Sequence, residues 1–140
     1  MPTDEQLAAE LLRRTDHGRV ATSMRALPFL AFARHIAVDG GILLRMHRGL
    51  GYHQACVGSV VAYGSDNLSS ARPGEGLWIV QVVGRCDSVE PSAEELARFG
   101  PAPRVVDGEP YDPVYLRIEP ELATVHSTDG ALEYSITHSS

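Results

Sequence analysis

Hydrophobic positions recur with two different periods along this chain. Near the start, Leu7, Leu11 and Leu12 return at helical spacing behind Thr3 and Gln6, which stand in capping-box register, and His17-Gly18 supplies a stop. This predicts a short amphipathic helix. From Arg19 onward short β-branched and apolar runs are broken by Gly, Asp, Asn and Pro, which is strand texture. Strands are predicted over Arg19–Met24, Leu27–Val38 and Ile42–His47, with Asp39-Gly40-Gly41 as a tight hairpin because Asp-Gly tolerates positive φ. Gly49 and Gly51 then lead through Tyr52–Cys56, a loop running into one or two helical turns.

Val57–Gly64 reads as the next strand and the polar stretch 65–76 as a loop. In Trp78–Val89, Trp78, Val80, Val82, Gly84 and Cys86 share one face, and Gln81, Arg85 and Asp87 share the other with Ile79 and Val83. Ser92 and Glu95 form a second capping box ahead of Leu96 and Phe99, and Gly100-Pro101 ends that helix. Pro101–Pro113 has no period and reads as a connecting loop. Val114, Leu116 and Ile118 alternate with Tyr115, Arg117 and Glu119; beyond Pro120, Leu122–His126 is the same strand bent or its neighbour. Leu132, Tyr134 and Ile136 predict a terminal strand.

About six strands joined by short turns make antiparallel sheet, and in a small chain such a sheet avoids open edges by curling into a barrel. The expected fold is mainly β: one domain over 1–140, a barrel with short flanking helices, an N-terminal helix within 1–17 and a tail or extra strand at 128–140.

Composition narrows the function. With 140 residues, 44% hydrophobic and 21% charged, the chain can bury a core and is too apolar for disorder. A net charge of -6 leaves no basic footprint for nucleic acid or anionic membrane. All 12 basic side chains are Arg, so Schiff-base, P-loop-lysine and lysine-base chemistry drop out. The Arg and Ala bias suits a GC-rich, bacterial gene. The start, MPTDEQLAAELLRR, lacks the basic and then apolar pattern of a leader, and no run approaches the roughly 20 apolar residues of a membrane helix, so a cytoplasmic protein is expected. Cys56 and Cys86 are then expected as buried thiols without a disulfide.

The stretches GRVATS, HIAVDGGILLRMHRGLG, GLWIVQVVGRCDSV and YLRIEPELATV, in that order, resemble the FMN-binding split-barrel family related to pyridoxamine 5'-phosphate oxidase, from about Leu7 to His126. The resemblance implies a six-stranded Greek-key barrel, a homodimer, and a flavin mononucleotide in each of two grooves at the interface. It implies cofactor contacts from the corner after the third strand: Arg45 matches the family's phosphate arginine and Gly49 its glycine. Met46 stands for the threonine, and Leu50 and Gly51 stand where Ser and Lys would be, so two side-chain donors and a cation are lost. Arg45, His47 or Arg48, and the backbone amides around Gly49 and Gly51 remain as donors. On the second strand Arg34 and His35 would approach the ring, or His35 is an ordinary strand histidine. Trp78 matches the family's tryptophan, at the groove or in the core, and Arg117 reaches a partner subunit or solvent. The function implied is a flavin-dependent oxidoreductase of unspecified small substrate. The alternatives are a cofactor-less dimeric binding module and a deazaflavin- or haem-binding relative.

Other constellations carry less. His47, His53 and Cys56 offer metal-ligand types but no fourth partner, and no metal is expected. Gly49-Leu50-Gly51 lacks the rest of a dinucleotide fingerprint, and no nucleophile elbow supports a hydrolase. Glu94-Glu95 and Glu119 with Glu121 read as cap and solvated strand end.

Overall fold

In a computed structural model, which describes residues 3–128, the chain runs α1 (Asp4–Arg13), β1 (His17–Met24), β2 (Leu27–Val38), β3 (Gly41–His47), α2 (Tyr52–Cys56), β4 (Ser59–Asp66), β5 (Trp78–Ser88), α3 (Ala93–Phe99), β6 (Val105–Val106), β7 (Glu109–Pro110) and β8 (Pro113–Ser127). Both capping boxes form. Thr3 Oγ1 accepts from the Gln6 amide at 3.1 Å while Gln6 Oε1 accepts from the Thr3 amide at 3.0 Å, and Ser92 with Glu95 repeats the exchange at the start of α3.

The long strands close into an antiparallel barrel in the order β1-β2-β3-β8-β5-β4, the mainly β barrel that the sequence predicts. Its closing seam is short: β1 meets β4 through Arg19↔Gly64, Val20↔Tyr63 and Ala21↔Ala62 alone. β8 is one strand through Pro120, which settles the alternative left at that proline. The register of β5 against β8 shifts between Val83 and Gly84, and a Cβ at Gly84 would stand 2.0 Å from the Glu119 carbonyl oxygen. A proline without an amide hydrogen belongs at such an irregularity.

Three local features differ from expectation. β1 begins at His17 and β4 at Ser59. The expected loop between α3 and β8 carries the small β6–β7 hairpin, with Asp107 and Gly108 both at positive φ. The β1–β2 turn uses Arg25 and Ala26 at φ 53° and 65°, positions where glycine or asparagine is the usual choice. The predicted strand around Leu132, Tyr134 and Ile136 lies outside the described residues. Among the described residues no helix is long and apolar enough to cross a membrane.

Strand alternation places Val20, Ala31, Ala33, Ile42, Leu44, Val80, Val82, Leu116 and Ile118 inside the barrel, joined by Leu11 and Leu12 of α1 and Cys56 of α2. A second cluster forms outside, where Phe99 of α3 covers Ile36 and Leu43. The barrel's outer surface is therefore divided. Over the second half of β2, β3 and the first half of β8 it lies under α3; over the first half of β2, β1, β4, β5 and the second half of β8 it is bare. The bare side displays Leu30, Phe32 (77% exposed), Val60, Ile79 and Leu122. Cross-strand pairs Ala21↔Leu30, Ala21↔Ala62, Ala62↔Val83 and Val83↔Leu122 make one apolar belt from Leu30 to Leu122, flanked two residues away by Phe32 on one side and Val60 on the other, with Ile79 beyond Gln81.

Candidate functional site

The corner at the end of β3 follows from strand parity. Ile42, Leu44 and Met46 point inward, so Leu43, Arg45 and His47 point out, beneath α3 and the segment after it. Arg34 on β2 is the direct cross-strand partner of Arg45. Two like charges face to face destabilise a sheet unless something neutralises them. Here the end of α3 does so. Arg45 donates from Nη1 to the Gly100 carbonyl at 2.9 Å and from Nη2 to the Pro101 carbonyl at 3.3 Å. Arg34 donates from Nη2 to the Arg98 carbonyl at 3.2 Å, from Nε to Phe99 at 3.2 Å, and from Nη1 to Asp16 and His35. Four successive carbonyls, Arg98 to Pro101, thus meet two guanidiniums, and the Phe99 ring lies 5.4 Å from Arg45 and 6.0 Å from Arg34. The last turn of a helix exposes unpaired carbonyls at the negative end of its dipole, which is where cations belong.

His47 is buried, stacked on Tyr111 at 5.2 Å, and accepts at Nδ1 from the Asp112 amide at 3.1 Å, so its neutral ring carries the proton on Nε2. That nitrogen lies over Gly49: a Cβ there would come within 2.6 Å of it. Burial raises the Tyr111 hydroxyl pKa. Past Gly49 the 3₁₀ turn Arg48–Leu50 ends at Gly51 (φ 78°), with Leu50 half exposed, and Arg48 reaches the Asp112 carboxylate at 3.5 Å.

The remaining predicted residues lie apart from this corner. His35 is 1% exposed and points into the barrel, where Nε2 donates to the Leu12 carbonyl at 2.9 Å and Nδ1 accepts from the Tyr63 hydroxyl. Burial lowers its pKa. It is the ordinary strand histidine of the two readings. Met46 packs in the core, and so does Trp78, which is 5% exposed. Arg117 bonds the Asp39 carbonyl at 3.3 Å. His53 is buried with Nδ1 unpartnered, its pKa lowered by burial first and by Arg48 second. Burial pushes the Cys56 thiol up to about 11 and Cys86 up to about 12, so neither is a thiolate at neutral pH. Among the described residues no three His, Cys, Asp or Glu side chains gather as metal ligands.

The structure thus brings together Arg34, Arg45, His47 and Gly49 and separates His35, Met46 and Trp78 from them. Phe99, Tyr111 and Asp112 are partners that sequence reasoning missed; they come from far along the chain and carry no local signal. The apolar belt was also missed, although Leu30 and Phe32 share the parity of Arg34. A cofactor phosphate does not fit Arg34 and Arg45 as they stand. Their guanidiniums are engaged by main-chain carbonyls, Arg45 Nε is the buried nitrogen of the two side chains left without a partner, and the face of Gly49 is filled by His47.

A family profile described as pyridoxamine 5'-phosphate oxidase matches residues 4–127. The chain belongs to the pyridoxamine 5'-phosphate oxidase family. It is 34% identical over 101 residues to the uncharacterised protein Rv0080 of Mycobacterium tuberculosis, a match covering 69% of this chain and 64% of that one. This family member therefore spans under two-thirds of that relative's length. Among solved structures it is similar to the FAD binding protein from Mycobacterium smegmatis, with 19% identity, TM-score 0.69, and 92% of this chain and 98% of that chain covered. It is also similar to a heme binding protein from the same organism, with 14% identity, TM-score 0.64, and 96% of this chain and 61% of that one covered. At these identities the two structures establish a shared fold.

Proposed function

We propose that this member of the pyridoxamine 5'-phosphate oxidase family is a flavin-binding homodimer, a cytoplasmic oxidoreductase acting on a small molecule. The observation that carries the reading is the bare apolar belt. Leu30, Phe32, Val60, Ile79 and Leu122 sit on one barrel face, on β2, β4, β5 and β8 with Ala21 of β1 between, and an exposed apolar surface of this kind marks an interaction site. A second copy pairing belt to belt buries it and leaves grooves at the edge for a flat ring. Arg19, 5.3 Å over the Phe32 ring and 3.7 Å from Asp66, stands at that edge. FAD is bound, by its name, by the similar protein of Mycobacterium smegmatis, and flavin is the cofactor that the sequence resemblance implies.

Redox chemistry in such a protein resides in the flavin, and the chain contributes binding, orientation and exclusion of water. The phosphate end is a different matter: with Arg34 and Arg45 bound to the end of α3, a nucleotide tail has to be met by main-chain amides or by the partner copy.

Purified protein incubated with FMN, and separately with FAD, then desalted, tests the reading by its absorbance spectrum. Stoichiometric retained flavin, together with a sedimentation mass of two chains that Phe32→Asp converts to one, is the expected result. A colourless monomer refutes it. A Soret band in protein as purified would move the cofactor assignment to haem.

A further inference from the structure

At the opposite end of β3 from Arg45 and His47, about 13 to 20 Å away along the strand, lies a second feature. Helix α1 crosses the β2–β3 hairpin and leaves a crevice of about 280 Å³ walled by Ala8, Ala9, Leu12, Ile42, Val82 and Ala123. At Arg13, Ala37 and Asp39 it continues into a cleft of about 430 Å³ bordered by Arg98 and Arg117. The first compartment is mainly aliphatic, with Glu5 at its wall, and the second is charged.

The state of Arg117 points to a ligand. Its cross-strand neighbour on β5 is Asp87, yet the Asp87 carboxylate pairs with Arg85 at 3.6 Å. Arg117 turns instead to the hairpin, where Nη2 makes a single 3.3 Å bond to the Asp39 carbonyl and the guanidinium lies 3.1 Å from where a Cβ on Gly41 would stand. Arg98 is held in the same way by the Ala37 carbonyl at 2.6 Å. Neither has a carboxylate within ion-pair distance among the described residues, although Asp39, Glu94 and Glu95 border the same cleft. Glu95 is committed to the Ser92 amide at 2.9 Å. A guanidinium offers five N–H donors in a planar fork that matches a carboxylate, and here most of them are uncommitted.

We propose that this cleft binds a small amphipathic carboxylate, its aliphatic body in the crevice beside α1 and its head group on Arg117 and Arg98. The site is independent of flavin, so it stands or falls separately from the reading above.

Titration of the full chain by calorimetry with octanoate, 1-octanol and acetate tests this. Saturable octanoate binding, with the alcohol and acetate each weaker by about tenfold or more, is expected for a charge-assisted head-group contact. Arg117→Met should bring octanoate down to the level of octanol without changing the melting temperature, Arg117→Lys should restore part of the loss, and Ala9→Leu should block the body. Octanoate binding no tighter than octanol, or undiminished in Arg117→Met, overturns the proposal.

Discussion

Tyr63→Phe removes one oxygen from the middle of the barrel, and the structure says what that costs. The Leu12 carbonyl can only accept, so His35 Nε2 holds the ring proton and Nδ1 is a bare lone pair that takes the Tyr63 hydroxyl. His35 and Tyr63 are 1% and 0% exposed, so removing the hydroxyl leaves Nδ1 buried without its partner. Phenylalanine keeps the packing, so the loss is one buried hydrogen bond plus an unsatisfied acceptor: about 2–3 kcal/mol, or roughly 6–10 °C in melting temperature. Acidity should act on the same pair. Burial, the largest cause, holds the folded pKa of His35 below its ordinary 6.5. The unfolded chain then takes up a proton near pH 6.5 that the native state resists. Stability is full above that pH and falls below it by up to about 1.4 kcal/mol per pH unit. His53, depressed mainly by burial, acts in the same direction, while the lowered carboxyl of Asp16 matters only below 3.8. Urea unfolding followed by circular dichroism at pH 7.5 and pH 5, at one fixed protein concentration, reads both effects. A Tyr63→Phe variant within about 0.5 kcal/mol of the parent, or a parent whose stability is flat across that interval, would refute the assignment.

Arg25-Ala26→Asn-Gly should stabilise by about 1–2 kcal/mol, because both residues of the β1–β2 turn hold positive φ against steric resistance; no rise in melting temperature would deny the strain. Gly84→Ala should cost about 2–4 kcal/mol, since the new methyl meets the Glu119 carbonyl; thermal unfolding indistinguishable from the parent would mean the irregularity yields freely. Arg45→Met should leave the Gly100 and Pro101 carbonyls without donors and lower stability by about 2–3 kcal/mol. Limited proteolysis should then cut near residues 98–101 first, and an unchanged digestion pattern would show that Phe99 packing and the Arg34 and Arg98 bonds hold α3 without Arg45.

Much of the barrel was legible because its signals are local. Thr3 with Gln6, Ser92 with Glu95, and Asp39-Gly40 each determine a backbone event within a few residues, and the alternation from Trp78 to Cys86 fixes which face is inside. The same alternation, applied to β2, puts His35 on the inward side with Ala31, Ala33 and Ala37. Family correspondence drew His35 toward a ring when parity already placed it in the core. Met46 shares that lesson with Ile42 and Leu44. What could not be read was contact between distant segments. The donors of Arg45 and Arg34 are received by carbonyls 55 to 65 residues away, which carry no side-chain identity to recognise. The β1–β2 turn was readable only as a gap between strands, since Arg25-Ala26 lacks the usual turn residues. The continuity of β8 through Pro120 depends on a shift in its neighbour.

The brevity of the β1–β4 ladder has a consequence for how the barrel breathes. A closed sheet has no edge to fray, so it opens at its weakest join, and three residue pairs hold that join where β5 and β8 are zipped along their full length. The join also links segments more than 40 positions apart (Ala21 with Ala62), so it forms late, after the local hairpins have made their own bonds. Amides of residues 19–21 and 62–64 should therefore exchange with solvent ahead of those in the β5–β8 ladder, as mass-spectrometric or NMR exchange would record.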